Sequence, residues 1–204
     1  EMAKHGELRY IINTEPHGDH WTGNSFFDVP VIAHEGEEGA EKWLRGVKAN
    51  LARKPQGNDR AQAKAIYEGV CDIGIANTYY MGKMATNEKK PEQKKWAEAV
   101  RVVFLNQGGR GNHINISGAA VTRNAKNQVH AVKLIEFLSG DFAQKIYASQ
   151  NFEYPAKAEV AIDPLVRSWG DFKADTVSLE KIATLRATAS RLVDKVRFNE
   201  GPSS

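Results

Sequence analysis

Apolar residues along this chain fall into short runs that alternate with stretches of three-to-four-residue period, a pattern that predicts strands alternating with helices and an α/β fold. Leu8 to Asn13 reads as a strand, followed by a polar loop through Trp21. Val29 to His34 reads as a second strand, with Pro30 suited to an edge or a strand start. Ala40 to Asn50 reads as a helix that carries Trp43, Leu44 and Val47 along one face. Asn58 or Asp59 can cap the next helix, whose apolar stripe is Ala61, Ala65 and Ile66, and Gly69 ends it. Asp72 to Ala76 is a short strand that delivers Asn77, Thr78, Tyr79 and Tyr80 into a turn.

Farther on, Pro91 opens a helix through Ala99. Val100 to Leu105 and Ile114 to Val121 read as strands around a loop with Gly108, Gly109 and Gly111. Gln128 to Leu138 is amphipathic, with Ala131, Leu134, Ile135 and Leu138 in register. Gly140 separates it from a helix over Asp141 to Ser149, and Ser178 caps a long helix that runs to Val196.

Composition narrows the classes. The chain has 204 residues, 41% of them apolar and 26% charged, enough for one domain or two small lobes around a real core. No run of about 18 apolar residues occurs, so no segment is a spanning-helix candidate. The sequence begins at Glu1 without a charged-then-apolar leader, which says nothing either way about export. The net charge of +3 is spread along the chain, and the densest basic stretch, Lys89 to Lys95, is interleaved with Glu88 and Glu92. That pattern reads as a solvated helix start and speaks against nucleic acid as a partner. Cys71 is the only cysteine, which excludes an internal disulfide and a thiolate zinc finger. No Gly-x-Ser-x-Gly elbow is present, and the Gly108-Gly109-Arg110-Gly111 loop lacks the lysine of a phosphate-binding loop.

The adjacent phenols Tyr79 and Tyr80 carry the most pointed chemistry. On an extended strand they would face opposite ways, whereas at a strand-to-helix turn their hydroxyls can converge. Ferric iron is a hard cation that favours anionic oxygen ligands, and a bound metal holds a phenol as phenolate at neutral pH. On spacing alone, a packing or surface role is the commoner reading of such a pair.

The stretch around the pair, EGAEKWLRGVKANLARKPQGNDRAQAKAIYEGVCDIGIANTYYMG from Glu38 to Gly82, resembles the ferric-iron-binding proteins of bacterial ABC transporters. The likeness continues through NHINISGAAVTRNAKNQVHAVKLIEFLSGDFAQKIYASQNFEYP and SWGDFKADT to about residue 199. It implies a type II periplasmic-binding-protein fold, truncated here to the second lobe and the returning part of the first. It also implies iron ligation by Tyr79 and Tyr80, with Asn58 and Asn77 near the accompanying anion. The implied cargo is Fe3+ with a synergistic anion, the implied partner an ABC transporter permease, and the implied location the periplasm or another extracytoplasmic space. No catalysis is called for. In that family the remaining ligands come from a first lobe preceding the position of Glu38, so Tyr79 and Tyr80 stand for part of a site.

Residues 7–37 instead resemble the zinc-loop segment of the metallo-β-lactamase superfamily, His-x-His-x-Asp-His at a strand end. His17, Asp19 and His20 match its last three positions, and Glu15 stands where the first histidine would be. This second resemblance implies Zn2+ on a histidine loop and a domain boundary at 37/38, hence a chain of two ancestries. Two alternatives accompany the iron reading: a zinc-dependent hydrolase, and a folded chimera without a complete site. An N-terminal strand–loop–helix–strand unit would patch the sheet or leave an open strand edge for a second copy, so a homo-oligomer is an expectation as well.

Overall fold

The computed structural model describes residues 10–13, 25–116 and 118–202, with side chains from Glu35 onward. The expected zinc-loop residues His17, Asp19 and His20 lie outside the described residues. The α/β expectation holds. Strands β1 (Tyr10–Asn13), β2 (Ile73–Ala76) and β3 (Arg101–Val103) form one parallel sheet in the order β2-β1-β3. Tyr10 pairs with Ile73 on one side and with Arg101 on the other, so the N-terminal strand occupies the centre. It patches the sheet, and β2 and β3 become its edges.

Helix α1 (Ser25–Ala49) is interrupted at Gly36, whose φ of 73° leaves the helical region. The strand expected over Val29 to His34 is therefore helix. A short apolar run with β-branched residues fits a helix segment as well as a strand, and periodicity alone does not separate them. Two helical segments thus meet at Gly36, beside the boundary expected at 37/38.

Two apolar clusters follow from the amphipathic helices. In the first, Ala40 and Leu44 of α1 meet Ala189, Leu192 and Val193 of α8 (Leu179–Lys195), and Val196 and Phe198 close the end. Ser178 caps α8 by accepting from Lys181 N at 3.2 Å, as its sequence position predicted. In the second, Ala63 and Ile66 of α2 (Asp59–Tyr67) pack on Ala76 of β2 and on Met81 and Met84 of α3 (Tyr79–Ala85). Trp96 of α4 (Glu92–Glu98) covers the edge of that cluster. A fully buried Leu, Ile or Met of this kind contributes about 1.5–3 kcal/mol.

Two further expectations change. The strand expected over Ile114 to Val121 does not form; the nearest pairing is a single parallel bridge between Asn112 and Ala174. A strand needs a ladder partner, and Ile116 is instead exposed. Helix α5 (Gln128–Ser139) forms as expected but has no fully buried residue, and Leu134, expected inward, is 57% exposed. Its apolar residues surround most of the helix, whereas its principal packing partner among the described elements is α6 (Asp141–Ile146). A π-helical turn, Tyr147–Asn151, extends α6 and ends on Phe152 in the left-handed region. The short α7 (Pro164–Arg167) is capped by Asp163.

Segments 105–113 and 172–177 are tied together through Asn112. Its backbone N donates to Lys173 O at 2.8 Å, and its backbone O accepts from Asp175 N at 2.8 Å. Its fully buried side chain accepts from Leu105 N at 2.8 Å and donates to His113 O at 2.6 Å. Gly111, at φ 98°, allows this approach, because a Cβ there would stand 2.6 Å from Ala174 O. Burial holds the His113 imidazole below its usual value of 6.5; Asp175 opposes that shift and Arg110 adds to it.

A histidine lowered on folding lets the unfolded chain take up protons first. Its stabilising effect is complete above about 6.5, the unfolded value, and is lost as the pH falls toward the folded one. Denaturant midpoints should therefore drop as the pH is lowered below about 6.5, and His113→Gln should remove part of that slope.

Candidate metal centre

The tyrosine pair sits where β2 hands over to α3. Ala76 ends the strand, Asn77 and Thr78 make the turn, and Tyr79 and Tyr80 are the first two residues of the helix. The helical turn is closed by Tyr80 N donating to Asn77 O at 3.3 Å and Met81 N donating to Thr78 O at 2.8 Å. The two rings lie with centroids 4.3 Å apart and planes inclined by 30°. Both are half-buried, and Tyr80 packs against the second apolar cluster.

Neighbouring charges complete the arrangement. Arg60 of α2 places its guanidinium carbon 4.6 Å from the Tyr80 ring centroid, and Lys83 of α3 places Nζ 5.5 Å from that of Tyr79. Each phenol ring is thus faced by one cation. Asp59 lies between Asn58 and Arg60, and its Oδ1 accepts from Asn77 N at 2.7 Å and from Asn77 Nδ2 at 3.0 Å. That double contact ties the start of α2 to the turn that carries the tyrosines.

The structure gives the two asparagines more local duties than the anion role expected of them. Asn58 accepts from Ala61 N at 3.2 Å and caps α2, the plain role for an asparagine before a helix. Asn77 is buried and committed to Asp59. Both still flank the tyrosine turn, one through the cap and the other through the aspartate. Arg60 and Lys83 were not singled out in the sequence, and Asp59 only as a possible helix cap. Lys83 could have been found as the residue four beyond Tyr79 on one helix face, but nothing local relates Arg60 to Tyr80 across 20 positions.

Other candidates are weaker. Among the described residues, no three His, Cys, Asp or Glu side chains are grouped to hold a metal ion. Tyr154 is a different kind of phenol: its hydroxyl is buried without a hydrogen-bond partner among the described residues, and burial, aided by Asp171, pushes it up to about 12. That environment keeps a phenol neutral and disfavours ligation. A groove of about 480 Å³ lined by Met81, Lys94, Glu98, Arg101 and Trp169 excludes both Tyr79 and Tyr80 from its walls.

Residues 18–174 match the family described as bacterial extracellular solute-binding protein. Iron uptake protein A1 of Synechocystis is 45% identical over 172 residues, which is 84% of this chain and 48% of that protein. Among solved structures, the ferric binding protein from Campylobacter jejuni superposes with a TM-score of 0.84 at 33% identity. It covers 92% of this chain and 58% of its own. A Trichodesmium protein solved with iron and citrate ligands gives a TM-score of 0.82 at 38% identity, with the same coverage of both chains. The chain thus spans about half the length of the curated relatives it matches.

The family match begins ahead of Asp19 and His20 and runs through the join expected at 37/38. It takes in residues 18–37 of the stretch assigned to the metallo-β-lactamase superfamily, and the comparisons lend no support to that assignment or to the zinc and chimera readings. The resemblance rests on the stretch from Tyr10 to Gly36, which the family match takes in from residue 18 onward, with His17 just ahead of it.

The seat of the tyrosine helix is tight. A Cβ built on Gly82 would stand 2.2 Å from Phe152 Cγ, so the ring of Phe152 lies directly on the α3 backbone two residues beyond Tyr80. Gly82→Ala should displace one or the other and cost about 1–3 kcal/mol, read as a lowered denaturation midpoint. An unchanged midpoint would mean that Phe152 does not seat α3.

Proposed function

This chain belongs to the bacterial extracellular solute-binding proteins, and from that premise we propose that it binds ferric iron through Tyr79 and Tyr80 as part of an ABC-type iron importer. The observation that carries this reading is the pairing of the two phenol rings at 4.3 Å on one helix start. Two phenolates on a hard trivalent cation supply the anionic oxygen it favours. Relatives that match on both sequence and fold are named for iron uptake and ferric binding.

In this reading the protein is a carrier, not a catalyst: its work is capture and release, with iron as cargo. It acts outside the cytoplasm and hands the metal to a membrane permease. The fold is that of the ferric-binding proteins' second lobe with part of the first returning to it, consistent with a chain that spans about half of its relatives. An accompanying anion fills coordination positions that two phenols leave open, near Asn58 and Asn77.

Added ferric citrate should produce a red-to-purple band from tyrosinate-to-iron charge transfer and raise the thermal midpoint. At a hundredfold excess over Kd, ligand binding stabilises by about 2.7 kcal/mol. Replacing both tyrosines, Tyr79→Phe with Tyr80→Phe, should abolish the colour and the gain. A wild-type protein that stays colourless and gains no stability sinks the proposal. Self-association belongs to the same reading, because Val129, Phe137, Phe142 and Ile146 leave α5 and α6 with exposed apolar surface. Light scattering at moderate concentration should then give a mass above 22.6 kDa; a monomeric mass counts against it.

A further inference from the structure

Helix α3 has only seven residues, and its first turn carries the tyrosine pair. One side of this short helix is fixed by Met81 and Met84, both buried in the second apolar cluster. Another side follows Tyr79, Gly82, Lys83 and Thr86, which are spaced three or four residues apart. In the middle of that side Gly82 is buried, and the ring of Phe152 lies on it. A Cβ at Gly82 would overlap Phe152 Cβ, Cγ and Cδ2, so the ring can sit there only against bare helix backbone. Glycine is the poorest helix former after proline, and this close approach accounts for one in the middle of α3.

Phe152 reaches that position from a strained backbone. Its φ of 59° and ψ of 33° lie in the left-handed region, which bulky side chains rarely enter. It closes the π-helical turn Tyr147–Asn151, and its backbone N donates to Tyr147 O. Beyond it, Tyr154 meets Phe172 edge-on at 5.2 Å, and Phe172 stacks on Phe104 at 4.4 Å. The strained residue is thus held from both sides, the condition under which such strain persists. A glycine would take the same backbone without strain. What Phe152 adds is a ring, laid one helical turn beyond Tyr79 on the side of α3 that Tyr79 shares.

We propose that Phe152 is a positioning residue for the tyrosine pair, its ring on Gly82 holding α3 at the rotation in which both phenols reach one metal ion. The inference rests on the iron reading above and deepens it. Adjacent helical residues point about 100° apart, so turning α3 about its axis brings one hydroxyl toward the metal and takes the other away. Contacts on two sides of the helix, the methionines on one and Phe152 on the other, stop that turning. Phe152 itself binds no metal and acts through the backbone of Gly82.

The test titrates ferric citrate into the whole chain and follows the tyrosinate charge-transfer band together with the thermal midpoint. Phe152→Gly should weaken the apparent affinity for iron by about three- to tenfold and shift the band maximum, since the band reports how the phenolates meet the metal. Phe152→Leu, which keeps an apolar group on Gly82, should recover part of both. Phe172→Leu controls for packing alone: it loosens the neighbouring aromatic cluster, and should lower the midpoint while leaving affinity and band in place. Should circular dichroism show that Phe152→Gly does not fold, Phe152→Leu carries the test, with a smaller loss and a shift of the same sign. If the folded Phe152 variants keep the wild-type affinity and band, or if Phe172→Leu alters both as strongly, the ring is packing alone. This inference is then overturned while the iron reading stands. If the wild type develops no band, both fall together.

Discussion

Everything at the tyrosine pair depends on a four-residue strand from the other end of the chain. β2 and β3 do not touch; each pairs only with β1, which runs parallel between them. Parallel strands demand long crossover connections, and here helices α1 to α4 lie within them. Take β1 away and both remaining strands lose their only ladder partner. The turn after Ala76 would then lose the fixed end that aims Tyr79 and Tyr80. The register is what matters: Asn13 opposite Ala76 brings the end of the central strand level with the end of β2, immediately before the functional turn.

A second level of control is electrostatic and local. Asp59 uses one carboxylate oxygen to accept from the backbone and from the side chain of Asn77, fixing α2 against the tyrosine turn. From α2, Arg60 places its guanidinium over the face of Tyr80. A charge-assisted hydrogen bond to a buried partner is worth more than a surface ion pair. The aspartate therefore acts as the positioning element, and the surface pairs, such as Lys94 with Glu88, count for little. The two apolar clusters divide the labour in the same way. One couples α1 to α8, remote in sequence, and the other seats the tyrosine helix on α2 and β2.

The α5–α6 hairpin is built to a different standard. Apolar residues lie on most sides of α5, yet none is fully buried, and the strand expected just before it does not form. Helices with that distribution are normally enclosed by other elements. Low burial and few long-range partners place this hairpin at the low-stability end of the molecule, where opening is least costly.

Read without coordinates, the chain already specified its α/β class, the caps at Asn58 and Ser178, the strand ahead of the tyrosines and the family of the segment that carries them. Those features are local: a cap is satisfied within three residues, a period within two turns, and a motif within its own loop. It misassigned Val29 to His34 and Ile114 to Val121, where β-branched residues look alike in a helix, a strand or an unpaired segment until neighbours are known. The histidine loop misled for a related reason, since three residues of suitable type carry little information without the distant ligands that would complete them. What only the tertiary structure decided is which distant groups meet: β1 with β2 and β3, Asp59 with Asn77, and Arg60 with Tyr80. These pairings depend on long-range packing that closes the chain on itself, and no local pattern in the sequence encodes that closure.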